Sequence, residues 1–248
     1  MESKSIRLNK YLSDAGVCSR READRLIEEG KVYIDGEPAV MGQKVIKGQK
    51  VICGGKPVEK EEEFILLAVN KPAGIVCTTA KTDKDNIVDF VGYSKRIYPI
   101  GRLDKESEGL ILMTNQGDIV NKLLRGGNGH EKEYLVKINR PVTEEFLRAM
   151  KNGIPILNTM TKKCFVEKAG NQEFRIILTQ GLNRQIRRMC EYLGCKVVKL
   201  KRVRIMNIRL GNLKTGSNRR VEGKELREFL AIISGSTNLS YKEYRSGK

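Results

Sequence analysis

Three short runs in this 248-residue chain carry side chains whose types and spacing could do chemistry. The first is Ile100 to Gly117, IGRLDKESEGLILMTNQG, where Arg102 and Asp104 precede Gly109 and the apolar run Leu110–Met113. On pattern alone, a catalytic Asp104, a turn-capping Asp104 and a partner for Arg102 are all compatible with it. The second is Lys132-Glu133-Tyr134-Leu135-Val136, in which Tyr134 shares a strand face with Val136 and Ile138 and reads first as a sheet-packing tyrosine. The third is Gln180 to Gly194, QGLNRQIRRMCEYLG. Ile186, Met189, Cys190 and Leu193 make an apolar stripe at i, i+3, i+4, i+7, and Arg184, Arg187, Arg188 and Glu191 make the neighbouring one. Guanidinium forks suit phosphates and carboxylates in a bidentate way that lysine does not match. A solvated basic helix face is the alternative.

The elements that position these runs are legible in part. Leu8, Tyr11, Leu12 and Ala15 form one helix stripe, ended by Gly16. Ser19-x-x-Glu22 is a capping box, Ala23, Leu26 and Ile27 continue a second helix, and Gly30 sits where a helix stops. Arg20, Arg21 and Arg25 lie on its other side. Val32 and Ile34 then alternate before the turn signal Asp35-Gly36. This predicts a unit over residues 1–52 of two helices and a β hairpin. The polar stretch 53–63, CGGKPVEKEEE, reads as a linker. A second domain is expected over 64–233. It opens with a strand from Phe64 to Val69, and has further strands at Glu133–Asn139, Phe174–Thr179 and Val197–Ile208. A helix is expected at Thr143–Lys151, with Thr143 as N-cap and Gly153 beyond its end. Strands and helices do not alternate strictly, so the fold class is α+β with a mixed sheet. The tail 234–248 is expected to be disordered.

Composition bounds the partners. Lys plus Arg total 47 against 30 Asp plus Glu, a formal charge of +17. Residues 181–230 hold 14 Lys/Arg and four Glu, whereas residues 1–52 are nearly balanced. Nucleic acid is the first partner such a surplus suggests, and an anionic membrane surface the second. No run approaches the roughly 18 apolar residues of a membrane span, and the N-terminus has no apolar signal core, so a cytoplasmic protein is expected. Six cysteines with no C-x-x-C spacing and a single histidine, His130, argue against a structural zinc site and for reduced, buried thiols. With 6% aromatic residues and no Trp, a binder built on many stacking platforms is disfavoured.

Several of these segments resemble a known family. RLNKYLSDAGVCSRREADRLIEEGKVYIDG is similar to the S4 RNA-binding domain, GRLDKESEGLILMTNQGD to the motif around the catalytic aspartate of pseudouridine synthases, and KEYLV and LTQGLNRQIRRMCEYLG to the tyrosine and arginine motifs of the same family. Their order resembles the rRNA-modifying subfamily with an N-terminal S4 domain. GNGHEKEYLV, MTKKC and GLNRQIRRMCE look most like the F group among its 23S rRNA enzymes. The resemblance covers about residues 6 to 232. Many relatives carry His where this chain has Arg184, a departure the F group shares.

The resemblance implies a second domain built on a mainly antiparallel sheet flanked by helices, and an isomerase turning a uridine of large-subunit (23S) rRNA into its C-glycoside. That reaction needs neither cofactor nor metal, because it involves no redox change and loses no group. Asp104 would be the catalytic carboxylate, attacking the sugar, attacking the base or promoting elimination. Arg187 would hold Asp104 ionised and oriented, and Tyr134 would stack on the flipped uracil. Arg102, Leu103, Lys105, Arg184, Gln185, Ile186 and Arg188 would contact the splayed RNA, with Arg20, Arg21 and Lys31 of the S4 unit as a second contact. A monomer is expected. The alternatives are the same reaction on small-subunit rRNA or tRNA, or an S4-type ribosome-binding factor without catalysis.

Overall fold

A computed structural model describes residues 5–59, 63–124 and 129–236, which fall into two compact units. The first comprises the described residues of 1–64 with 93–97 and 115–117. Its elements are β1 (Ile6–Arg7), α1 (Leu8–Asp14), α2 (Arg20–Glu28), β2 (Val32–Ile34), β3 (Glu37–Pro38), β4 (Lys44–Val45), β5 (Val51–Cys53) and β6 (Lys56–Pro57). Leu8 and Leu12 of α1 and Ala23 and Ile27 of α2 pack with Val32, Ile34, Val45 and Val51 into one core. The Ser19 hydroxyl accepts the Glu22 N–H at 3.1 Å and caps α2. Arg20 and Arg21 stay exposed at its start.

The hairpin expected at Asp35-Gly36 is present, with both residues at positive φ (53° and 93°). It belongs to a four-stranded sheet ordered β3-β2-β5-β6, beside a separate β1–β4 pair. The stretch expected as a linker therefore starts inside this sheet. Gly54 and Gly55, at φ 56° and 76°, turn the chain from β5 into β6, and the Val58 N–H donates to the Val51 carbonyl at 2.8 Å. The two adjacent glycines serve a tight hairpin rather than a spacer, and two-residue strands leave no alternating pattern to read. Residues 60–62 of the expected linker, and 237–248 of the expected tail, lie outside the described residues.

The second unit is the larger. Its elements are β7 (Leu66–Lys71), α3 (Ile87–Val91), β8 (Tyr98–Ile100), β9 (Glu108–Thr114), α4 (Gly117–Leu124), β10 (Lys132–Ile138), α5 (Glu144–Asn152), β11 (Pro155–Ile156), β12 (Thr159–Met160), β13 (Phe165–Gly170), β14 (Glu173–Leu178), α6 (Gln185–Tyr192), β15 (Val197–Ile205), β16 (Ile208–Arg209), β17 (Asn218–Arg220) and α7 (Gly223–Ser234). Among the described residues, nine strands make one sheet ordered β13-β14-β10-β15-β9-β7-β17, with β16 on β15 and β8 on β9. Every pairing in it is antiparallel except β15 with β9, which are parallel through Lys201↔Glu108 and Arg202↔Gly109. β7 is buried along its whole length and β9 from Gly109 onward, which explains their continuous apolar runs.

The expected strands are present with small shifts at their ends. One correction is larger: Val197–Ile208 is not a single strand. Met206 adopts φ 53°, and β16 folds back so that Ile208 pairs with Ile205. The expected helix appears as α5, with the Thr143 hydroxyl accepting the Phe146 N–H and Gly153 at φ 95° beyond its end. α5 and α6 cover one face of the sheet through Leu147, Met150, Ile186, Met189 and Cys190, packed on Val136, Phe174, Ile176 and Leu200.

Candidate active site

Asp104 sits in the loop between β8 and β9. Leu103 anchors that loop: it is buried, and its N–H meets the Cys77 thiol at 3.3 Å. The Ser107 N–H closes the turn on the Asp104 carbonyl at 3.0 Å. Lys71 is fully buried, and its ammonium donates to the carbonyls of Pro72 and Ile75 at 2.8 Å and of Lys105 at 3.3 Å. Burial pushes the Lys71 pKa down, which neighbouring acids oppose. The lysine thus ties the end of β7 to the residue that follows Asp104. Gly109 fixes the other end of the loop. At φ 104°, a Cβ there would stand 2.3 Å from the Arg202 carbonyl oxygen, so only glycine lets β9 and β15 approach.

α6 brings the arginines. Arg184 caps it in the left-handed region (φ 50°, ψ 34°), an uncommon conformation for a side chain of this size. Gln185 is buried and accepts the Leu182 N–H at 3.1 Å, closing the preceding turn. Two residues on, Arg187 is buried in the core side of α6. It donates to the Ser107 hydroxyl at 3.2 Å and the Val197 carbonyl at 3.5 Å. Its Nε lies 3.7 Å from the Asp104 carboxylate and 3.5 Å from Glu106, and makes no hydrogen bond. Arg184 lies 3.9 Å from Asp104 and 2.5 Å from Glu106. The expected Asp104–Arg187 pair is therefore a cluster of two carboxylates and two guanidiniums. A hydrogen bond from its own backbone N–H, then Arg184 and Arg187, hold the Glu106 carboxyl below the usual carboxylate range, although partial burial opposes them.

This cluster stands at one side of a cavity of about 450 Å³. Arg102, Leu103, Asp104, Tyr134, Gln185, Ile186 and Arg187 all line it, as do Lys132 and Arg202. Tyr134 and Arg202 are register partners on β10 and β15, with the guanidinium carbon 6.0 Å from the ring centroid. Arg202 is buried. It donates to the Leu110 carbonyl at 2.7 Å and to that of Arg102 at 3.5 Å, and leaves Nη2 without a partner.

Other expected contacts sit elsewhere. Lys105 is exposed and pairs with Asp85 at 3.0 Å. Arg188 is tied to the Asn183 carbonyl and side chain, both at 3.1 Å, and braces the turn before α6. Arg20, Arg21 and Lys31 are exposed on the first unit, Lys31 with Glu29 at 2.7 Å. Sequence reasoning missed Lys71, Glu106, Ser107, Lys132 and Arg202. The signal was a lysine closing an otherwise apolar strand for Lys71, and the i, i+2 spacing to Tyr134 for Lys132; Arg202 gave none, since its strand also carries Lys199, Lys201 and Arg204.

Comparison with known proteins agrees with this arrangement. Residues 65–192 match the RNA pseudouridylate synthase family, and residues 6–39 match the S4 domain. The dual-specificity RNA pseudouridine synthase RluF of Salmonella typhi is 56% identical over 94% of this chain and 82% of its own length. The ribosomal large subunit pseudouridine synthase B of Bacillus subtilis is 35% identical over 94% of this chain and 98% of its own length. A crystal structure of a pseudouridylate synthase superposes with a TM-score of 0.66 at 27% identity, covering 92% of this chain and all of the other. An S4 unit and a synthase domain are thus matched along most of one chain by enzymes of one activity, and the chain belongs to the RNA pseudouridine synthase family.

Proposed function

We propose that this enzyme converts a specific uridine of large-subunit ribosomal RNA into pseudouridine, with Asp104 as the reacting carboxylate. The observation that carries the assignment is the cluster itself, an Asp104 carboxylate within 4 Å of two guanidiniums at a cavity large enough to admit a base. Neither guanidinium hydrogen-bonds the carboxylate, so its oxygens stay free to meet an electron-deficient C1′. Arg187 orients Asp104, and Tyr134 offers its ring to the extruded uracil. Flipping a base costs a few kcal/mol, least where the nucleotide is already unpaired. Exposed Arg102 and Arg184 stand at the cavity to hold the displaced backbone, and Arg20, Arg21 and Lys31 give the S4 unit a second RNA contact. The enzyme is proposed to act as a monomer. It acts in the cytoplasm, where ribosomal RNA is, and the isomerisation itself calls for no cofactor.

The large-subunit target rests on the name of the Bacillus relative. The dual-specificity name of the Salmonella relative favours a second reading, in which another RNA is also a substrate. A nucleotide-resolution pseudouridine map of rRNA and tRNA from a deletion strain, complemented with wild type or with Asp104→Asn, tests both. Wild type should restore one or more sites that the variant leaves as uridine. Identical maps in all strains would refute the assignment.

A further inference from the structure

The cavity holds more positive than negative side chains. Asp104, with Glu106 beside it, meets Arg184 and Arg187. Two further cations, Lys132 and Arg202, line the same cavity and pair with no acid among the described residues. Lys132 points into the cavity from the Tyr134 face of β10, and its one side-chain hydrogen bond among the described residues is a 3.3 Å contact with the His130 carbonyl. Arg202 makes only carbonyl contacts and keeps a buried, unpartnered Nη2. Neither forms an ion pair among the described residues. Two uncompensated cations sharing one desolvated cavity repel each other, and such an arrangement is relieved by a bound anion.

Residues two apart on a strand are separated by about 6.7 Å. A pyrimidine stacked on the Tyr134 ring therefore turns an edge toward Lys132, while Arg202 lies beside the same ring. Breaking the N1–C1′ bond sends its electron pair onto the base, which becomes a uracil anion with charge shared over N1, O2 and O4. C1′ is left electron-deficient and is met by the Asp104 carboxylate or by loss of the C2′ proton. The base later bonds to C1′ through C5, displacing the carboxylate or, on the elimination route, with the proton returned to C2′; the C5 proton then leaves to a base, N1 gains a proton, and the product is an isomer.

We infer that Lys132, with Arg202 behind it, is a catalytic residue that stabilises the negative charge developing on the departing uracil. This rests on the proposed site, since it needs the base to lie on Tyr134. The charged groups facing Lys132 agree with it. Arg202 faces it from β15 and His130 and Tyr134 from its own segment, while its register neighbours Leu178 and Ile205 are apolar. Burial, and then Arg202, lower the Lys132 pKa to about 8. The ammonium is thus present below that pH and is lost as pH rises through it.

The test uses full-length enzyme and an in vitro transcript of large-subunit rRNA carrying 5-tritiated uridine. Lys132→Met and Lys132→Gln should lower the single-turnover rate at saturating RNA at least tenfold while RNA affinity stays within about twofold. Lys132→Arg should recover most of the rate. At subsaturating RNA the wild-type rate should fall as pH rises through about 8, and the Lys132→Arg rate should not. A near wild-type rate in both neutral variants overturns the inference. So does a loss that vanishes at saturating RNA, which would mark Lys132 as a phosphate contact. Asp104→Asn run alongside separates the two readings: turnover in that variant defeats the site assignment, whereas an inactive Asp104→Asn with active Lys132 variants defeats only the charge role.

Discussion

Replacing Arg187 by Ala tests the cluster most directly. The side chain is 10% exposed, whereas Asp104 and Glu106 are 33% and 46% exposed. Stranding one member of a buried pair costs about 3–5 kcal/mol, and breaking an exposed pair costs about 0–1. This cluster lies between those limits, so the loss of the guanidinium should cost about 2 kcal/mol. If that orientation of Asp104 is needed equally in the transition state, 2 kcal/mol is roughly a 30-fold drop in rate. Lysine keeps the charge but has no planar fork to reach Ser107, Val197 and the carboxylates together, so Arg187→Lys should recover only part of it. Arg188→Ala is the control. Its contacts stay within the Asn183 turn, so it should affect RNA affinity more than chemistry. The assay is single-turnover conversion at saturating RNA, with thermal melting to verify folding. A folded Arg187→Ala within threefold of wild type, or an Arg188→Ala that loses the rate instead, would refute the assigned roles.

Asp104→Asn keeps size and removes the charge and the nucleophile, so tritium release should fall below a tenth of wild type with RNA affinity largely kept; residual turnover above that level argues against the role. Gly109→Ala must either strain a φ of 104° or push β9 off the Arg202 carbonyl, so denaturant unfolding should show a loss of about 3 kcal/mol or more, and an unchanged midpoint would mean that the two strands can separate freely. Binding should weaken steeply with salt: about five phosphate contacts from the 181–230 cluster give a log–log slope near −3 to −4, and one shallower than about −1 would exclude that cluster as the docking surface.

What can be read from the chain is whatever local pattern encodes. The α1 and α2 stripes, the Ser19 and Thr143 caps and the Asp35-Gly36 turn are interactions between residues a few positions apart, and all are present. The chemistry-bearing runs carry Asp104, Tyr134 and Arg187 into one cavity, as their resemblance to a family implies. What stays hidden depends on pairings distant in sequence. β1, β4 and β6 are too short to show a period and exist because partners complete them. Lys71 looks like a surface lysine until three carbonyls enclose it. Glu106 and Ser107 look like ordinary loop residues because nothing near them announces Arg184 and Arg187, some 80 positions away. Gln185 reads as an RNA contact by its place beside Arg184, but its side chain is used to close the turn.

The parallel seam between β9 and β15 has a consequence for when the enzyme comes into being. Asp104 hangs from the strands on one side of it, and Tyr134 and Arg187 belong to the other. The seam is joined by two register pairs and by the Arg202 side chain reaching the Leu110 carbonyl, 92 residues earlier in the chain. Closing so long a loop forfeits chain entropy before any contact repays it, so this joint forms late in folding. A ribosome making this protein therefore releases the carboxylate half long before the half that orients it. A nascent chain shorter than about 200 residues lacks Arg202 and the seam, and the site is complete only when the last long strand docks.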